Sequence, residues 1–128
     1  MEKKLLTFFM IAFQTVLFGH DVVVTEEDNG TTINVEINDT ICAKLSGNPS
    51  TGYTWEEQLP VSAIFREAGR EYVPSHPGLC GAGGEFSFSF HVVSVGSAPL
   101  SFIYHRPWET DVPPIQTFTV TVNVANPL

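Results

Sequence analysis

The sequence predicts an all-β fold, a single antiparallel sandwich of about seven short strands with almost no helix. Three observations carry that expectation. Apolar and polar residues alternate with period two in several separate stretches, as in strands with one wet face. Clusters of Gly, Pro, Asn and Asp punctuate those stretches at the spacing of a sandwich. At 128 residues, 43% of them hydrophobic, the chain has length and material for one core and one domain.

The extended pattern begins after His20. Val22-Val23-Val24 is a short β-branched run closed by the polar turn Glu26-Glu27-Asp28-Asn29-Gly30. Ile33, Val35 and Ile37 share one face, against Asn34, Glu36 and Asn38. Ile41, Ala43 and Leu45 form the next inward face, which puts Cys42 and Lys44 on the opposite one. The stretch from Gly47 to Trp55 is a stiff turn leading into a strand. Pro49 fixes its own φ and drives Asn48 out of the helical region, while Gly47 and Gly52 permit the reversal. Tyr53 and Trp55 then share a packed face, and Pro60 ends the strand.

Residues 61–67 are the only stretch with the pattern for a short helical turn, and Glu71-Tyr72-Val73 reads as a brief edge strand. A long glycine-rich loop covers residues 75–84. It breaks into the cleanest alternation of the chain, Phe86, Phe88, Phe90 and Val92 against Ser87, Ser89 and His91. Gly96-Ser97-Ala98-Pro99 turns the chain into a strand over residues 100–104, and residues 105–114 form a second long loop. The last strand points Phe118, Val120, Val122 and Val124 inward. There is no internal repeat or interdomain linker, and the whole pattern is that of an immunoglobulin-like sandwich.

Charge and the N-terminus narrow the function. The net charge is −8, from 6 Lys+Arg against 14 Asp+Glu. That balance argues against nucleic acid and against an anionic membrane surface, both of which call for basic patches. Residues 1–19 read as a signal peptide. Lys3 and Lys4 precede an apolar run over residues 5–18, broken only by Thr7, Gln14 and Thr15, with the length of a signal h-region and too short for a comfortable membrane span. The domain then covers residues 20–128, in a secreted protein or one held in an endolysosomal or phagosomal lumen. In such a compartment Asn29-Gly30-Thr31 and Asn38-Asp39-Thr40 are glycosylation acceptors. Cys42 and Cys80 could pair there, closing a loop for about 3–4 kcal/mol in the chain-entropy estimate.

Catalytic chemistry finds little support. His20, His76, His91 and His105 are scattered. Cys80 beside His76 lacks a third group to orient a base, and a structural zinc site needs four spaced ligands. Glu56 and Glu57 point to opposite faces of a strand. The glycines of residues 81–84 lead into a strand, so they lack the helix N-terminus of a phosphate loop. No enzyme, metal or cofactor is expected.

Recognition fits better. Asn48-Pro49-Ser50-Thr51-Gly52 is slim and stiff, Gly81-Ala82-Gly83-Gly84 offers bare backbone, and Arg106-Pro107-Trp108 offers residue types enriched at interface hot spots. Together, in this order, Asn48-Pro49-Ser50-Thr51-Gly52-Tyr53, Gly81-Ala82-Gly83-Gly84 and Arg106-Pro107-Trp108 resemble the three motifs of the chagasin-type inhibitors of papain-like cysteine peptidases. Ser50 departs from the threonine usual there, keeping the hydroxyl and losing a methyl.

The resemblance implies three loops clustered at one end of the sandwich as a wedge. The first enters the peptidase cleft with Ser50 and Thr51 over the catalytic cysteine and histidine, and the other two bind its flanks. Trp108 would stack on aromatic peptidase surface, while Arg106 also braces its loop. The implied activity is reversible, noncovalent, tight inhibition by a monomer forming 1:1 complexes; nanomolar binding would need about −12 kcal/mol. His76 and His105, beside two of the loops, are candidates for tuning affinity with pH. The alternatives are a secreted immunoglobulin-like adhesion or carbohydrate-binding module, and a thiol enzyme using Cys80.

Overall fold

In the computed structural model, residues 19–58, 61–76, 78 and 81–125 are described. The expected signal peptide, residues 1–18 of its 19, and Cys80 lie outside them. Eight strands form: β1 (Asp21–Thr25), β2 (Thr32–Glu36), β3 (Thr40–Gly47), β4 (Thr54–Glu57), β5 (Phe65–Pro74), β6 (Gly84–Val92), β7 (Gly96–His105) and β8 (Gln116–Ala125). They make two four-stranded sheets, ordered β1-β3-β6-β5 and β2-β8-β7-β4. The alternating residues of both sheets meet between them. Ile41, Ala43, Leu45, Phe90, Phe102, Val120 and Val122 are wholly inaccessible to solvent, and the Phe88, Phe102 and Phe118 rings pack with centroids 4.8 and 6.1 Å apart. The offset, tilted geometry suits aromatic pairs.

Several features differ from the sequence expectation. Eight strands form where about seven are expected, and residues 96–99, read as a turn, pair with β8 as the opening residues of β7. The sandwich is not antiparallel throughout, because β1 runs parallel to β3 and β2 parallel to β8. Residues 61–67 hold no helix: one turn, Phe65 N–H donating to the Ser62 carbonyl at 3.1 Å, leads straight into the ten-residue edge strand β5. The cause is a bulge. Phe65 and Tyr72 are seven apart, which puts them on opposite faces of a regular strand. The register slips between Glu67 and Gly69, so Phe65, Glu67, Arg70 and Tyr72 oppose the inward residues Val92, Phe90, Phe88 and Phe86. The extra residue returns Tyr72 to the core side.

That slip also turns Arg70 to the face that Glu67 already shares with Phe65, toward the gap between the sheets. Arg70 spans it, its Nη2 lying 2.6 Å from Glu57 Oε1 on β4 and 2.8 Å from Glu67 Oε2, with the guanidinium carbon 5.8 Å from the Phe88 ring centre. The Arg70–Glu57 pair links the edge strands β5 and β4 of the two sheets. Burial raises the pKa of the Glu57 carboxyl above 4.5, with Arg70 pulling it part of the way back.

Strand direction fixes what lies at each end. β1, β3, β5 and β7 finish at the end where β2, β4, β6 and β8 start. All four connections β1–β2, β3–β4, β5–β6 and β7–β8 therefore share one pole. At the other pole buried Asp39 fastens the chain's entry: its Oδ1 accepts from His20 N–H at 3.0 Å and its Oδ2 from Glu36 N–H at 2.9 Å.

Candidate functional site

The β3–β4 loop is shaped by its own side chains. Asn48 caps a 3-10 turn over Pro49–Thr51, its Oδ1 accepting from Ser50 N–H at 3.1 Å and from Ser50 Oγ at 2.6 Å. Thr51 Oγ1 donates to the Asn48 carbonyl at 2.7 Å. Pro49 occupies the first helical position, where its missing N–H costs nothing. Gly52 ends the turn at φ 88, a left-handed conformation that favours glycine. Both hydroxyls expected to face a partner are thus already engaged in holding the loop, while Pro49, Ser50 and Thr51 remain exposed.

The flanking loops grip it from both sides. Asn48 Nδ2 donates to the Gly81 carbonyl at 2.8 Å. On the other side Arg106 Nε donates to the Thr51 carbonyl at 3.1 Å. The Arg106 guanidinium stands 4.5 Å from the Tyr53 ring centre and its Nη1 lies 3.4 Å from Glu109 Oε2. Cation–π stacking and the planar fork together fix the arginine, which a lysine would not reproduce. Arg106 is therefore anchored by its own chain, with its side chain 35% exposed. Trp108 is 66% exposed, yet one edge lies against Gly52, where a Cβ would come 2.5 Å from Cη2.

The glycine-rich segment uses its bare backbone inward as well as outward. A Cβ on Gly84 would overlap the Val73 carbonyl and the Pro74 backbone, so β5 and β6 can close on each other here only without a side chain. Ser75 N–H donates to the Gly83 carbonyl at 3.0 Å, closing the mouth of the loop. Gly81 and Ala82 stand exposed, Gly81 beside Ser50. All thirteen residues marked out from the sequence lie on the three loops or at their roots, and all three loops meet.

Sequence reasoning missed the seat beneath them. Tyr104, at the end of β7, is 8% exposed, and its hydroxyl accepts from Asn48 N–H at 2.9 Å. Its ring lies 5.5 Å from Tyr53 and 4.9 Å from Trp55, and Trp55 Nε1 donates to the Ser46 carbonyl at 2.9 Å. The available signal was its inward parity with Leu100 and Phe102, directly before His105-Arg106. Also missed was the β1–β2 turn at the same pole, where Glu26 Oε1 accepts from Ser46 N–H at 3.3 Å.

Other sequence candidates fall away from the loops or elsewhere. Cys42 is a free thiol, its Sγ 3.8 Å from Ser89 Oγ, and Cys80, with which it could pair, lies outside the described residues. His105 pairs through Nε2 with Glu56 Oε1 on the outer face of β4 and β7. His76 is exposed on the glycine-rich loop, and His91 lies 3.1 Å from Thr40 Oγ1.

Comparisons with known proteins agree with this architecture. The profile of the chagasin family peptidase inhibitors I42 matches residues 34–122. Amoebiasin-1 of Entamoeba histolytica is 34% identical over 103 residues, covering 79% of this chain and 97% of that protein. The crystal structure of a cysteine protease inhibitor from Entamoeba histolytica superposes with a TM-score of 0.72 at 25% identity, over 83% of this chain and 96% of the other. The inhibitor of cysteine peptidases of Leishmania mexicana gives a TM-score of 0.59 at 26% identity, over 77% and 90%. With the family profile spanning most of the sandwich, the chain belongs to the chagasin family of peptidase inhibitors.

Proposed function

We propose that this chain inhibits papain-like cysteine peptidases by reversible, noncovalent occlusion of the active-site cleft. The central loop, tipped by Pro49, Ser50 and Thr51, enters the cleft, while Gly81-Ala82 and Pro107-Trp108 cover its two flanks. The observation that carries this reading is the bracing of the central loop from both sides, by Asn48 to Gly81 and by Arg106 to Thr51. A loop held this way stays in one conformation, so little ordering entropy is lost on binding. The same bracing keeps its peptide bonds from relaxing into a cleavable extended pose. Trp108, exposed beside Gly52, supplies the large apolar anchor that such contacts use.

Titration of papain with the purified chain tests the reading, alongside Thr51→Asp and Trp108→Ala. Stoichiometric inhibition by the parent is expected. Trp108→Ala should weaken it at least tenfold, the scale of an interface hot spot, and Thr51→Asp should weaken it further by placing a charge at the tip. A folded parent that leaves papain and a cathepsin-like peptidase fully active would refute it.

A further inference from the structure

The β7–β8 connection, residues 106–115, carries exposed apolar side chains that take no part in holding the loops together. Two successive turns fold it. Glu109 N–H donates to the Arg106 carbonyl at 2.9 Å and Val112 N–H to the Glu109 carbonyl at 3.3 Å. Its return limb is tied to the end of β7, Ile115 N–H donating to the Tyr104 carbonyl at 3.0 Å, and Pro113 and Pro114 restrict what lies between. Along this fixed track Trp108, Val112 and Ile115 are 66%, 53% and 56% exposed.

We propose that Val112 and Ile115 extend the Trp108 surface into an apolar shoulder that covers the target peptidase beside its cleft. The inference rests on the inhibitory reading above and enlarges its contact surface. Continuity names the occupant, because the shoulder lies on the same loop as Trp108 and at the same pole as the loop tip. A peptidase seated on Trp108 meets these side chains next. Concentration at that pole matters too: three apolar residues more than half exposed stand on one ten-residue stiff loop, whereas Val93 and Val95 at the far pole are each less than half exposed. Charge describes the complement. Glu109 is neutralised by Arg106 and Asp111 is exposed between the apolar positions, so the shoulder fits an apolar peptidase rim that presents no carboxylate toward Asp111.

The far pole supplies a matched control, since Val95 in the β6–β7 turn is 47% exposed. The experiment titrates papain and one cathepsin-like peptidase with the parent, Val112→Asp, Ile115→Asp and Val95→Asp. Thermal unfolding and sedimentation are measured for each. Against the more tightly bound peptidase, Val112→Asp and Ile115→Asp should each raise the inhibition constant about tenfold or more. Val95→Asp should match the parent, and all four proteins should unfold at similar temperatures. Unchanged inhibition in both shoulder variants overturns the proposal and leaves the inhibitory reading standing. So does parent self-association that the shoulder variants abolish without loss of inhibition, which would make the patch an interface between copies. A parent that inhibits neither peptidase removes the inhibitory reading, and the shoulder with it.

Discussion

Tyr104→Phe isolates the stiffness of the central loop from its chemistry. The substitution keeps the ring, and with it the packing on Tyr53 and Trp55 at 5.5 and 4.9 Å. It removes one oxygen, the acceptor of the Asn48 N–H at 2.9 Å. A buried donor left without a partner costs about 1–3 kcal/mol. Asn48 is only partly buried, so water can take over some of the bond and about 1 kcal/mol is the working figure. Spent locally, that lets the free loop leave the capped conformation about five times more readily, and a peptidase must then recapture it. The inhibition constant should rise up to about fivefold. Amide exchange should quicken by a similar factor at Asn48, Thr51 and Gly52 and stay unchanged in β6 and β8. Faster exchange with an unchanged inhibition constant would refute the argument that loop rigidity contributes to affinity. Unchanged exchange would refute the hydroxyl's role as the loop's seat.

Two other outcomes follow from the geometry. Gly52→Ala places a Cβ at a left-handed residue, costing about 1–2 kcal/mol, and drives it against the Trp108 indole; inhibition should fall at least tenfold while the β-sheet circular dichroism signature persists. Glu57 gives a pH dependence whose sign is set by its raised pKa: the stabilisation it offers when protonated is fully present below 4.5 and is lost as pH rises through the raised folded value. Denaturant unfolding from pH 4 to 7 should therefore show Glu57→Gln losing less stability with rising pH than the parent, and parallel curves would contradict the assignment.

The core and the three loops were legible because each leaves a local mark. Period-two alternation placed Phe86, Phe88, Phe90, Phe118, Val120 and Val122 inward without any knowledge of the partner strands. Asn-Pro, the glycine run and Arg-Pro-Trp marked the loops by backbone restriction alone. Of β5 only residues 71–73 were legible, as an edge strand; its first half was hidden because the bulge breaks the alternation and its edge position leaves few apolar residues to alternate. The parallel pairings of β1 and β2 were hidden for another reason: strand direction is a property of pairs, and no single run of residues records it. Arg106 reads in sequence as an interface residue, and its binding to the Thr51 carbonyl depends on a loop 55 residues away. Tyr104 looked like any other inward aromatic until the fold brought Asn48 over its hydroxyl.

The parallel edge pairings have a practical consequence. They send β1 into the sandwich from the pole where β8 leaves it, so Gly19 and Ala125 both lie at the end remote from the inhibitory loops. Anything joined to either side of the domain, such as a leader, a tag, a surface anchor or a second copy in tandem, attaches behind the wedge and leaves its tip facing outward. The domain can thus be tethered from either direction without masking the surface that meets a peptidase.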